Sequence, residues 1–380
     1  MKKKILVALS YILVAALAST ITAYMTSTQE TSKLQQLSEI IQYYYVDDVD
    51  MTAVEDAAAH AMIDTLGDRW SYYIPASEYE THLEQMHNAY VGVGITILAR
   101  EDGLGFDIMT VEEEGPAYEA GIQPGDILTA VEGQRVTEMD GTAVRNLVRG
   151  EEGTLVEMTV LRAEETITFQ VERRELPIVV AEGEMISKDT GLVIIYNFDD
   201  RCASESIETI ESLISQGAEK LVFDVRYNGG GYAHEMVQLL DYLLPEGDLF
   251  RTVNYAGKEA VDTSDEEYLD MPMAVIVNAE SYSAAELFAA ALREYDAAVV
   301  VGQKTSGKGY YQNTFPLDDG SAVGLSTGKY FTPLGVSLEG VGITPDVEIA
   351  VDEDTEMAIL YGTLEPAADP QIQAAVAALS

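Results

Sequence analysis

Between residues 192 and 301 four short apolar runs alternate with three helix-length segments, and no other feature of the chain restricts its fold as much. The runs are LVIIY (192–196), LVFDV (221–225), MAVIVN (273–278) and AAVVV (297–301). A strand with one wet face alternates apolar and polar residues, whereas a strand covered on both faces is apolar throughout. Between the runs, segment 204–215 sets Ile207, Ile210 and Ile214 on one side and stops at Gly217, as an amphipathic helix does. Helical segments at 235–244 and 284–293 follow in the same way. The order β-α-β-α-β-α-β predicts an α/β domain built on a largely parallel sheet, covered on both faces.

Ligands of such a sheet meet the loops that leave the carboxyl ends of its strands. Three of these loops are distinctive. Arg226-Tyr227-Asn228-Gly229-Gly230-Gly231 follows the second run, Ala279-Glu280-Ser281-Tyr282-Ser283 the third, and QKTSGKG (303–309), with Lys308, the fourth. Each has an ordinary alternative. Glycines suit a tight turn, Ser283 with Glu286 makes an S-x-x-E capping box, and a single lysine is usually solvated. Gly302 to Lys308 also nearly matches the phosphate-binding G-x-x-x-x-G-K-[ST] pattern, but Gly309 stands where the Mg²⁺-binding hydroxyl is required.

The convergence of all three on one sheet edge points to acyl transfer. A serine hydroxyl is a weak nucleophile until a base takes its proton. His60, His82 and His87 precede the sheet, and His234 follows the glycine loop as a rival base. A lysine serves if burial lowers its pKa from about 10.4 to near 7–8, at a cost of about 4 kcal/mol. Backbone N–H groups of the glycine loop and of Ala284 would then receive the oxyanion.

Upstream, 29–88 has helical periodicity, with Leu34, Leu37, Ile40 and Ile41 on one face. About five β-rich runs and two short helical segments, 116–120 and 142–149, fill 89–176, the size of a small binding module. Three lysines precede an apolar stretch over residues 5–25. It reads as a signal peptide, with Ala16-Leu17-Ala18 as the cleavage site, or as a membrane anchor; both place the remaining chain outside the cytoplasm. The acidic segment 351–380 is expected to be helical or loose. With 65 acidic against 22 basic residues the formal charge is −43, which excludes nucleic acid as a partner. The lone Cys202 excludes a disulfide framework and a cysteine metal site.

These residues resemble the carboxy-terminal processing proteases, or tail-specific serine proteases, over nearly the whole chain after the leader. The family's VN-x-x-S-x-S-A-x-E is matched by 277–286 and its G-x-K-T-x-G-K-G-x-x-Q by 302–312. Its G-x-G-I-x-P-D ending is matched by 340–346. The resemblance implies a crotonase/ClpP-like α/β protease core over 177–350, Ser283 as nucleophile, Lys308 as general base and Gln312 as its orienter. It also implies an oxyanion hole from Gly230 and Ala284, although Tyr227 and Gly229 replace the Asn and Pro of the family's R-N-N-P-G-G loop. The module at 89–176 resembles a PDZ domain inserted before that core. By this likeness Gly92, Val93, Gly94 and Ile95 would bind a C-terminal carboxylate. The expected partners are proteins or peptides with free, apolar C-termini, the membrane if the leader is uncleaved, and a second copy in a homo-oligomer. The expected location is the bacterial cell envelope. Neither metal nor cofactor is expected. The alternative readings are a non-catalytic tail-binding scaffold and an extracytoplasmic NTPase.

Overall fold

The computed structural model describes residues 32–379 except Glu101 and Glu138, so the expected leader lies outside the described residues. Among them no helix is long and apolar enough to cross a membrane. The chain divides into two units after Pro75. The first holds α1 (Lys33–Tyr44), α2 (Met51–Asp64) and the short β1 (Tyr72–Ile74). Asp50 caps α2 by accepting from the Thr52 N–H at 3.0 Å, and the Tyr73 hydroxyl donates to Asp56 at 2.7 Å.

The second unit starts with α3 (Ala76–Met86) and β2 (Ala89–Gly92). A small module follows: β3 (Ile95–Ala99), β4 (Phe106–Val111), α4 (Pro116–Ala120), β5 (Ile127–Val131), β6 (Gln134–Arg135), α5 (Gly141–Val148), β7 (Leu155–Arg162) and β8 (Glu165–Glu172). Its antiparallel sheet runs β3-β4-β5-β7-β8, so β3 ends the sheet beside α5. Then β9 (Arg174–Pro177) pairs antiparallel with β2, Ala89 opposite Pro177 and Gly92 opposite Arg174. The chain therefore enters and leaves the module side by side, as an insertion must. The run read as one stretch at 91–99 is two strands, because Val93 and the left-handed Gly94 (φ 74°) turn the chain between them.

The main domain continues with β10 (Ala181–Met185), β11 (Thr190–Ile195), α6 (Cys202–Ser215), β12 (Lys220–Asp224), α7 (Ala233–Leu243), β13 (Gly247–Asn254), β14 (Glu259–Ser264), β15 (Met273–Val277), α8 (Ala284–Glu294) and β16 (Ala298–Gly302). It ends with β17 (Tyr310–Pro316), β18 (Ala322–Phe331), β19 (Val347–Glu348), α9 (Glu353–Leu360) and α10 (Pro370–Ala378). The central sheet has the order β10-β11-β12-β15-β16-β19. All its pairs are parallel except the edge strand β10. The period of two sorts its side chains: Val193, Phe223, Val275 and Val300 pack with α6, α7 and α8. Leu192, Val222, Ala274, Ile276 and Val301 pack on the opposite face with Ile372 and Ala375 of α10. The last helix thus covers the face that the three crossover helices leave open. A second, antiparallel sheet joins β14, β13, β18 and β17.

A buried charge cluster anchors α10. Arg226, 5% exposed, forks onto Asp224 and reaches Asp369 at 2.8 Å and Gln371 at 2.9 Å. Asp369 also caps α10 by accepting from the Gln371 N–H. Removing Arg226 strands two buried carboxylates, so Arg226→Ala should lower stability by about 3 kcal/mol. Urea unfolding reads this as an earlier midpoint, and an unchanged midpoint would contradict the cluster.

Candidate active site

Strands β15 and β16 are parallel neighbours, with Val277 opposite Gly302. Their outgoing loops therefore emerge side by side, one leading to Ser283 and the other to Lys308. Ser283 precedes the first turn of α8 at φ 60°, ψ −123°. A non-glycine residue held there costs about 1–3 kcal/mol, so surrounding structure must hold it.

Glu286 does this. Its side chain is fully buried. One oxygen accepts from the Thr305 hydroxyl and from the Gly307 N–H at 2.8 Å. The other accepts from the Lys308 N–H at 2.9 Å and from the Ser283 N–H at 3.3 Å. Burial pushes the carboxyl above its ordinary range, and the donors pull against it. One carboxylate is hydrogen-bonded to the backbones of both candidate residues, which a local capping box alone would not do. Thr305 Oγ1 in turn accepts from the Ile343 N–H at 2.7 Å, and Gly307 O accepts from the Gly340 N–H at 3.0 Å. The G-x-G-I segment is thereby the backing of the lysine loop.

Lys308 is half-buried whereas Lys304 is exposed. The Lys308 Nζ lies 5.8 Å from the centroid of the Tyr282 ring, next to Ser283. Tyr330 on β18 is buried beneath them, and its hydroxyl donates to Lys308 O. Burial, then the charge of Glu286, holds the phenol well above its ordinary value, so it remains protonated. Gln312 sits opposite a bulge in β18, where Thr327 is the extra residue. Its amide donates to Tyr310 O at 3.1 Å and to Ser326 Oγ at 3.0 Å.

The two serines of the nucleophile stretch separate cleanly. Ser281 is buried, donates to Val225 O at 2.7 Å and accepts from the Asn278 N–H at 3.0 Å, so it braces the loop. In the glycine loop Tyr227 takes a left-handed conformation (φ 59°), and its N–H donates to Asn278 Oδ1. Gly230 approaches so closely that a Cβ would stand 2.7 Å from Ser283 Cβ and 2.9 Å from the Ala284 nitrogen. Its N–H, however, donates to Asn228 Oδ1 at 2.8 Å. Ala284 opens α8, where a helix leaves N–H groups without intrahelical partners. Of the expected oxyanion pair, Ala284 has the N–H in that position and Gly230 has its own engaged. His234 is exposed on α7 and faces Glu235 at 3.6 Å.

In the small module, Val93 is buried and its carbonyl accepts from the Ala117 N–H at 2.9 Å. Gly94 O accepts from the Glu112 N–H, and the Tyr90 hydroxyl donates to the Glu112 carboxylate at 2.9 Å. The 92–95 turn thus lies between β2 and the edge strand β3, stiffened by Glu112.

Two substitutions follow from this geometry. Glu286→Gln sets an amide N–H₂ against two N–H donors and should cost about 2–3 kcal/mol, seen as a lower thermal midpoint. Ser281→Ala should lose about 1–3 kcal/mol by stranding buried partners, whereas Ser283→Ala should be at least as stable as wild type. Equal midpoints for the two alanine variants would contradict the division of roles.

Comparison with known proteins identifies the relatives of the chain. Residues 189–349 match the family model for peptidase family S41, and 108–162 match that for a PDZ domain. A probable CtpA-like serine protease of Staphylococcus saprophyticus is 30% identical over 324 residues, covering 84% of this chain and 65% of the relative. Its Staphylococcus haemolyticus counterpart is 30% identical over 340 residues, covering 87% and 67%. The chain therefore spans about two thirds of the length of these relatives. Among solved structures, a photosystem II D1 C-terminal processing protease is 26% identical, with 90% of this chain and 93% of that chain covered at a TM-score of 0.48. The chain belongs to peptidase family S41 and carries a PDZ domain inserted ahead of the matched S41 region.

Proposed function

We propose that the chain is a serine endopeptidase that captures substrate C-termini on its PDZ domain and cleaves with Ser283 and Lys308. The observation that carries this reading is the strained Ser283 at the start of α8, tied through Glu286 to the backbone of Lys308. Neutral Lys308 takes the Ser283 proton as Oγ attacks the scissile carbonyl carbon. The oxyanion that forms is received by the Ala284 N–H and the adjoining glycine loop. Collapse breaks the C–N bond, the lysine ammonium gives its proton to the leaving amine, and an ester to Ser283 remains. Water, deprotonated by the same lysine, hydrolyses that ester. Gln312 fixes the strand that leads out of the lysine loop, and Tyr330 supports Lys308 from below.

Lys308 must be neutral, so activity rises with pH through the lysine's pKa in the free enzyme. Carboxylate capture would use the 92–95 turn, with the substrate tail added to the edge of β3 as a further strand. The apolar stretch 5–25 would place this work outside the cytoplasm, on or beyond the membrane.

An unfolded protein ending in Ala-Ala, with a free or an amidated terminus, tests the reading when incubated with wild type and with Ser283→Ala and analysed by intact mass. Wild type should cleave, amidation should slow it, and Ser283→Ala should be inactive by at least 10³-fold. Equal cleavage by both forms would remove Ser283. Binding that needs the free carboxylate, without cleavage by either form, would favour a scaffold.

A further inference from the structure

The turn between β11 and α6 and the first turn of α7 bring Asp200, His234 and Glu235 together, one ligand atom of each lying within 4.8 Å of the other two. None of them belongs to the Ser283–Lys308 site. Their remaining contacts leave a common side open. Glu235 uses Oε2 to accept from the Ala203 N–H at 2.7 Å, while Oε1 stands 3.6 Å from His234 Nε2. Asp200 uses Oδ2 for His87 Nδ1 at 2.7 Å. Beside it, Asp199 has a fully buried Oδ1 with no hydrogen-bond partner among the described residues.

The carboxylates of Asp200 and Glu235 therefore meet with no lysine or arginine paired to either among the described residues. The starts of α6 and α7 contribute about half an elementary positive charge each, which does not balance the carboxylates of Asp200 and Glu235. An unpaired, buried carboxylate oxygen beside two more carboxylates is the surrounding a cation relieves. The two histidines set this cluster apart from an ordinary acidic patch.

We propose that Asp200, His234 and Glu235 form a binding site for a divalent transition-metal cation, zinc in the first instance. One imidazole and two carboxylates suit zinc, with bonds of about 2.0–2.2 Å and a position left for water. An all-oxygen site would suit magnesium or calcium instead. His234 is 68% exposed, so its ring can turn the short distance that closes the triangle. His87 would steady Asp200 as an outer partner. The cation would link two parts of the fold that the peptidase needs in register. The turn at 197–200 holds Asn88, at the base of the PDZ insertion, through the Asn197 side chain at 2.9 Å and Asp200 O at 2.8 Å. On the other side, α7 continues directly from the glycine loop that touches Ser283.

Calorimetric titration of zinc chloride into the full chain, first freed of metal by a chelator, tests this independently of any peptidase activity. Wild type should bind one zinc per chain with micromolar affinity. His234→Gln and Asp200→Asn should each weaken binding at least tenfold, with unchanged thermal unfolding in chelator, while His60→Gln in the first unit should bind as wild type does. The proposal is overturned if no saturable site is seen, if both variants bind zinc as wild type does, or if magnesium binds as tightly as zinc.

Discussion

The candidate site of the α/β domain depends on a single carboxylate. Glu286 is fully buried, and a buried carboxylate without partners would cost several kcal/mol or give up its charge. Here four donors converge on it, from the Ser283 N–H, the Thr305 hydroxyl, the Gly307 N–H and the Lys308 N–H. It fixes two loops that are 25 residues apart in sequence by the same pair of atoms. The strained backbone of Ser283 and the irregular path of 303–309 persist because each is held against the other. In a chain with a formal charge of −43, this carboxylate is satisfied by neutral donors.

The central sheet was legible because its strands are buried on both faces, which leaves no choice of period in LVFDV or MAVIVN. The second sheet was not. Strands β13 and β18 carry bulges, at Leu249 and Thr327, and an extra residue shifts every later side chain to the other face. With the alternation broken, Tyr330 could not be recognised as a wall of the site. A helix was one of the two expectations for the tail, but the packing of α10 on the sheet escaped for another reason. Its Ala-rich sequence has only Gln371, Ile372 and Ala375 buried, too few to mark a stripe against its acidic surroundings.

At the site, local sequence placed Ser283 and Glu286 correctly as a capping box at a helix start, but did not show that Glu286 also holds the lysine loop. Nine residues of α8 are buried, and Glu286 is the one acidic group among them. A carboxylate that deep in an apolar helix is the signal that marks a hub, since a cap has no need of such burial. The departures at Tyr227 and Gly229 also gain a reason. Tyr227 occupies a left-handed position with its N–H on Asn278, and a Cβ on Gly229 would stand 2.6 Å from the Tyr282 hydroxyl. The loop is shaped by close approach to the nucleophile stretch, and Asn228 pins it by bonding both Ile195 O and the Gly230 N–H.

The position of α10 has a consequence for how the protein is made. Four strands of the central sheet present their second face to a helix that ends at Ala378, so the nascent chain carries that apolar face uncovered until α10 has been made. Arg226, at the start of the glycine loop, likewise waits for Asp369. At about 5–20 residues per second, the last turn of α10 follows the completion of β16 by several seconds. The nucleophile loop, the lysine loop and most of the core are therefore translated well before the sheet can close. The second face of the sheet closes only when α10 arrives, so the two loops that leave β15 and β16 wait on a helix far downstream of them.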